Sequence, residues 1–266
     1  MSASVFAKVM RPADGAAWVT GASGGIGRAV TLALAAEGWT VYATARSADK
    51  LAALASEAGG PGRVVPLPAD VTDLAAMEAA CAEITDAGPL ALAILNAGIY
   101  KPMRAQNFDA EAAKQTFDVN LTGVSNCLAP VLRHMIGRRD GCIALTASVA
   151  GYRGLPNAAA YSATKAGLIA MAEALAMDLV DLGVRISVIN PGFVETEATS
   201  VNEFEMPMLM KPEAAAAKIV DGLKKTRFEI RFPWQFAAFL RLIGTLPNRW
   251  YIWAVRKALG WDKMDR

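Results

Sequence analysis

Tyr161 and Lys165, in the stretch YSATK (residues 161–165), put a phenol and an ammonium four positions apart in an otherwise alanine-rich segment. In a helix, positions i and i+4 share a face, so the two groups meet. A free phenol ionises near pH ~10, too high for ready proton exchange at neutral pH, and a fixed cation beside it favours the phenolate. The pair alone leaves two readings open: a proton-transfer couple, or a surface tyrosine beside a surface lysine.

A second cluster is the turn TGASGGIG, Thr20 to Gly27. It follows a short apolar run and opens a helical one. Glycines there let backbone approach a pyrophosphate, and the helix N-terminus supplies N–H donors and the positive end of its dipole. Further on, the stretch YATARS places Ala45 eighteen residues beyond Gly27, followed by Arg46. An NAD site would hold the ribose 2′-hydroxyl with an acid at such a strand end. An uncharged Ala45 removes that acid, and the Arg46 guanidinium can bind a 2′-phosphate in a fork. Ser23 adds a hydroxyl donor inside the turn. These features point to NADP(H).

The elements that must position these groups alternate along the chain. Residues 16–20, 40–45, 63–69, 91–95, 142–147 and 185–190 read as short apolar strands, with a seventh at 228–232. Helical stretches fall near 25–37, 47–58, 72–87, 109–136 and 158–182. This alternation predicts an α/β fold: a doubly wound parallel β-sheet (Rossmann-like, about seven strands) with helices on both faces and a C-terminal helical extension. All 266 residues are expected in one such domain, with 233–266 as a hydrophobic and basic helical tail.

Bulk properties narrow the class. With 54% hydrophobic and 20% charged residues the chain is globular, and a net charge of +2 gives no reason to invoke nucleic acid. Cys81, Cys127 and Cys142 lack CxxC spacing and read as reduced, buried thiols, and no cluster of metal ligands stands out. The first residues lack the apolar core of a secretory signal, and no uncharged apolar run is long enough to span a bilayer, so a cytoplasmic location is expected. The charge is uneven. Residues 211–266 hold 12 of the 27 Lys/Arg and 5 of the 25 Asp/Glu, a net of +7, which leaves −5 for the rest. Four of the six tryptophans (Trp234, Trp250, Trp253 and Trp261) lie in the same stretch.

Over roughly residues 14 to 232 the chain resembles the short-chain dehydrogenase/reductase family. The resemblance rests on TGASGGIG, ADVTD (69–73), NAG (96–98), VNLTG (119–123), TASVAG (146–151), YSATK and NPGFVET (190–196), in that order. Gly21, Gly25 and Gly27 fit the turn of the compact members, while Gly21, Gly24 and Gly27 fit that of the extended ones. Length and the later motifs favour the compact type. Many NADP-preferring relatives also carry a basic residue in this turn, where this chain has Gly24.

The resemblance implies a role for each matching residue. Tyr161 is the general acid, or the base in oxidation. Lys165 lowers its pKa and reaches the nicotinamide ribose. Ser148 orients the carbonyl oxygen, and Asn120 holds a water linking Lys165 to solvent. Gly21, Ser23, Gly25, Ile26, Gly27, Arg46, Asp70 and Val71 take the adenosine and pyrophosphate end. Asn96, Ala97 and Gly98 line the middle, and Pro191, Gly192, Val194 and Thr196 line the nicotinamide. A homodimer or homotetramer is expected. The implied activity is hydride transfer between NADP(H) and a ketone, aldehyde or secondary alcohol. Two alternatives are a catalytically idle NADP-binding regulator of the same fold, and a lyase or epimerase of the extended type.

Segment 197–212 falls where the family places a lid. Its Phe204, Met206, Met208, Leu209 and Met210 suit either an apolar ligand or docking on the sheet. Tyr100, Leu155 and Phe193 are further candidates for the substrate wall, and a hydrophobic substrate is expected. The lone His134 reads as a surface or capping residue. The tail, 233–266, reads as two short helices broken at Pro247, with three candidate roles: peripheral contact with the inner membrane surface, a cover on the pocket, or packing on another subunit.

Overall fold

The computed structural model describes residues 8–197, 199–200 and 206–258. Seven parallel strands form one sheet in the order β3-β2-β1-β4-β5-β6-β7. They are β1 (Ala16–Thr20), β2 (Thr40–Ala45), β3 (Arg63–Pro68), β4 (Leu90–Leu95), β5 (Gly141–Thr146), β6 (Val184–Pro191) and β7 (Glu229–Phe232). β4, β5 and β6 are buried along their whole length, as strands covered on both faces must be. Strand order reverses between β1 and β4. Ligands of doubly wound sheets bind at the carboxyl ends of the strands flanking that reversal.

On one face α1 (Gly25–Ala36), α2 (Ala48–Glu57) and α7 (Pro212–Lys224) bury Val30, Leu34, Leu51, Leu54, Ile219 and Leu223 with Val19 and Val41. On the other face α3 (Leu74–Ala87), α5 (Gly123–Arg138) and α6 (Ala159–Leu179) bury Met77, Ile84, Val131, Met135 and Leu168 with Leu95 and Ile143. The three cysteines are free and buried in these two cores.

Two features depart from the sequence expectation, and a third decides between alternatives it left open. The single helix expected over 109–136 is α4 (Ala110–Phe117), a π-helical turn (Asp118–Thr122) and α5. Helix α7 was not anticipated, although Pro212 stands in its first turn and Ala215, Ala216, Ile219, Val220 and Leu223 recur at helical spacing. Of the two readings of segment 197–212, its described residues support docking on the sheet. Residues 206–210 return to pair with the chain after β6: Glu195 donates to the Met210 carbonyl (2.9 Å) and Met210 to that of Phe193 (3.0 Å). Met210 then packs on the core while Met208 and Leu209 stay exposed. Phe204 lies outside the described residues.

The tail folds as the sequence predicts, into α8 (Trp234–Gly244) and α9 (Asn248–Ala258), and Trp261 lies outside the described residues. The inner face of the two helices buries Phe236, Ala237, Leu240, Ile243, Tyr251 and Val255 against Val149, Tyr152, Leu155 and Phe193. No helix among the described residues is long and apolar enough to cross a membrane.

Candidate active site

The glycine turn is closed on itself. Gly21 (φ +68°) and Gly25 (φ +51°) are left-handed, a conformation that glycine adopts without steric cost. A Cβ on Gly27 would sit 2.2 Å from the Gly21 carbonyl oxygen, so no other residue fits there. The turn is tied to β4 by a residue to which the sequence reading gave no role. Thr20 Oγ1 accepts from the backbone N–H of Asn96 (3.0 Å) and of Ala97 (3.1 Å), and Asn96 Nδ2 donates to the Thr20 carbonyl (3.2 Å). A buried threonine immediately before the first glycine was the available signal.

At the far end of β2, Arg46 is exposed and faces the cavity, as does Asp70 after β3. Asp70 accepts from the Thr72 N–H (2.9 Å) and hydroxyl (2.8 Å). The Thr72 bonds hold its carboxyl below the usual range, and the Arg46 charge adds to that shift. Thr196 sits over the turn, since a Cβ on Gly25 would meet its Cγ2 at 2.8 Å. The Thr196 N–H donates to Thr199 Oγ1 (3.0 Å).

At the other end, α6 brings Tyr161 and Lys165 to the cavity beside Ser148, which follows β5. Lys165 is buried, and its Nζ donates to the Thr146 carbonyl at 2.8 Å. Tyr100 meets Tyr161 edge-on, with ring centroids 5.1 Å apart. Burial pushes the Tyr161 phenol up to about 12; Ser148 opposes the rise and Tyr100 adds to it. Burial thus outweighs the opposing influence on the phenol, and Lys165 is not among the groups that shift it. The ammonium is turned to Thr146, lies 5.4 Å from the Tyr161 ring centroid, and is itself brought down to about 8 by burial.

Asn120, in the π-helical turn, is fully buried and grips the loop after β4. Its Oδ1 accepts from the Ile99 N–H (2.8 Å). Its Nδ2 donates to the Ile99 carbonyl (3.0 Å) and to Thr164 Oγ1 (3.1 Å), a partner one residue before Lys165. Both amide protons are thus used by protein, and a relay through this side chain is left only the second lone pair of Oδ1. A Cβ on Gly98 would lie 3.3 Å from Asn120 Oδ1 and 3.4 Å from Lys165 Nζ, so Gly98 leaves room for both groups.

One cavity of about 560 Å³ joins these groups. Gly21, Ser23, Gly25, Ile26, Arg46, Asp70, Val71, Asn96, Ala97, Gly98, Ser148, Tyr161, Lys165, Pro191, Gly192, Val194 and Thr196 all line it. Gly27 and Asn120 stand behind its wall. Tyr100, Leu155 and Phe193 line it as expected, whereas Met206, Met208, Leu209 and Met210 do not. His134 is remote from it: its Nε2 accepts from the Leu90 N–H at 3.2 Å, a structural role at the start of β4. No group of metal ligands occurs among the described residues.

The loop after Ser148 is clamped to the tail. Arg153 Nη1 donates to the carbonyls of Gly244 and Leu246 (both 2.8 Å), its Nη2 bonds Asn248, and its guanidinium lies 4.1 Å from the Tyr251 ring centroid. Tyr251 in turn donates to the Gly154 carbonyl (2.8 Å). Phe236 packs on Phe193 with ring centroids 5.6 Å apart. The tail therefore forms the outer layer of the apolar end of the cavity.

Residues 15–205 match the short chain dehydrogenase family. An uncharacterized oxidoreductase of Myxococcus xanthus is 40% identical over 243 residues, 91% of this chain and 96% of that protein. A 3-oxoacyl-(acyl-carrier-protein) reductase of Thermotoga maritima is 37% identical over 183 residues, covering 68% and 74%. Among solved structures, a short chain dehydrogenase/reductase from Burkholderia phymatum in complex with NAD superposes with a TM-score of 0.77 at 26% identity, over 88% of this chain and 94% of that one. Levodione reductase gives 0.76 at 27% identity, over 85% and 98%. With the fold, the glycine turn and the Ser148, Tyr161 and Lys165 cluster in place, the chain belongs to the short-chain dehydrogenase/reductase family of oxidoreductases.

Proposed function

We propose that the protein uses NADP(H) to interconvert a carbonyl and a secondary or primary alcohol on a hydrophobic substrate, with Tyr161 as the acid and base. The observation that carries this reading is a single cavity with a half-buried phenol and a buried ammonium at one end and Arg46 beside Asp70 at the other. The residues suit a dinucleotide. The turn at Gly21, Gly25 and Gly27 leaves no side chain between backbone and ligand, and the first turn of α1 offers N–H groups with no acceptor within the helix. Gly21, Ser23, Gly25 and Ile26 would hold the pyrophosphate, Asp70 and Val71 the adenine, and Arg46 the 2′-phosphate in the absence of an acid at Ala45.

When bound, the nicotinamide supplies or accepts the hydride. Ser148 orients the substrate oxygen through its hydroxyl. Tyr161, protonated at neutral pH as a phenol is, donates a proton to that oxygen during reduction and takes it back in oxidation. Lys165, charged below about pH 8, faces the phenolate that remains and lowers its cost. Asn120 acts as a positioning residue by fixing Ile99 and Thr164.

Two lines support a ketone on an apolar body. Tyr100, Leu155 and Phe193 make that end of the cavity largely apolar. Relatives named 3-oxoacyl-(acyl-carrier-protein) reductase and acetoacetyl-CoA reductase act on 3-oxo groups. The test is a panel of ketones, aldehydes and alcohols of increasing chain length, each assayed with NADPH, NADH and the oxidised forms. Turnover that rises with chain length and favours NADPH is expected. Activity confined to small polar substrates, or to NADH, would reject the proposal.

A further inference from the structure

Seven of the fourteen large apolar side chains most exposed among the described residues lie in the tail: Trp234, Phe239, Leu242, Leu246, Trp250, Ile252 and Trp253. Helix α8 is apolar on both sides. Its inner face packs on the domain, while Trp234, Ala238 and Leu242 recur at i, i+4 and i+8 along its outer face, and Leu242 is 70% exposed. Gln235 and Arg241 are the polar side chains of this outer face, and the rest of it is apolar enough to meet a second apolar medium. The outer face of α9 carries Trp253 and Trp250 with Arg249 alongside.

The charge identifies that medium. Residues 233–258 contain Arg241, Arg249, Arg256 and Lys257 and no Asp or Glu. Arg241 also pairs with Glu229 (3.0 Å), which fixes α8 against β7. A two-fold contact between copies would set this net-cationic face, in which Glu229 offsets only Arg241, against itself, and like charges across an interface are unfavourable. An anionic bilayer meets all three features: indoles at headgroup depth, aliphatic side chains below them, and cations toward lipid phosphates. Each helix has 11 residues, about 16 Å of length, far short of a span, so the pair would lie along the surface.

We infer that α8 and α9 dock the protein on an anionic lipid bilayer and that it takes its substrate from there. The docking stands on the exposed face alone. The substrate route rests on the proposed function, because the inner face of the same helices packs on Val149, Leu155 and Phe193 of the cavity wall.

Full-length protein is sedimented with vesicles of phosphatidylcholine containing phosphatidylglycerol, and with pure phosphatidylcholine, at low and high salt. At least about tenfold more protein should pellet with the anionic vesicles at low salt, and high salt should release it. Leu242→Glu with Trp253→Glu should stay in the supernatant yet keep its activity on a water-soluble ketone. Tryptophan emission should shift to the blue on binding in the wild type only. Protein that stays in the supernatant at low salt overturns the docking, as does protein found as an oligomer that this double variant dissociates. A ketone dissolved in anionic vesicles should be reduced faster by the wild type than by the double variant. Equal rates with binding intact overturn the substrate route, and binding without activity on any ketone rejects the catalytic reading instead.

Discussion

Two titratable groups, the half-buried Tyr161 phenol and the buried Lys165 ammonium, carry the proposed chemistry. The sequence placed Tyr161 and Lys165 on one helix face, and the structure confirms that geometry, but the direction of the phenol shift was not legible. It depends first on burial, and then on Ser148, which opposes the rise, and Tyr100, which adds to it, both outside the helix that carries the pair. The shifts predict a pH profile. Tyr161, near 12, stays protonated over the working range, whereas Lys165 loses its charge through about pH 8. For reduction, kcat/KM for the cofactor should therefore be level at low pH and fall above about pH 8. Oxidation, which needs the phenol deprotonated, should rise with pH instead. A reductive profile that stays level well above pH 9 would remove Lys165 as the controlling group. At the opposite end of the cavity, Arg46→Ala should narrow the preference for NADPH over NADH by roughly tenfold to a hundredfold, for a charge-assisted phosphate contact worth ~1.5–3 kcal/mol. Equilibrium titration with both reduced cofactors measures the ratio, and an unchanged ratio would contradict the assignment.

The elements were legible where local pattern decides them. All seven strands lie within two residues of the expected ends, because short apolar runs bounded by turn residues carry their own signal. Helix α7 shows the converse: its periodicity and its proline were present in the sequence, but four consecutive alanines, Ala214 to Ala217, blur its apolar stripe. The π-helical turn holding Asn120 could not be foreseen, since one extra residue within a helix hardly alters its apolar spacing. The Arg153 clamp was equally hidden, being made of three tail acceptors more than ninety residues downstream. It lends itself to a direct test. Arg153→Ala should cost about 1–2 kcal/mol and lower Tm by about 2–6 °C, raising KM for hydrophobic substrates more than it lowers kcat. Thermal unfolding and steady-state kinetics that match the wild type would show that the tail is held without this residue.

At the scale of the molecule, the uneven charge becomes a division of labour. The sheet and its helices hold the cavity, and a cationic, tryptophan-rich layer closes the apolar end on one side and meets the surroundings on the other. Composition showed that asymmetry, but only the packing showed that the layer backs onto Val149, Leu155 and Phe193 and leaves its outer face exposed. In the proposed function, these parts converge on one proton transfer at the Tyr161 phenol. The most direct test is Tyr161→Phe in the full-length protein, with cofactor affinity measured by fluorescence titration and turnover by the absorbance of the reduced nicotinamide. The account predicts unchanged affinity for NADPH and turnover at least ~100-fold lower, the low end for loss of a general acid. Near-normal turnover in a variant that folds and binds cofactor as the wild type does would contradict it.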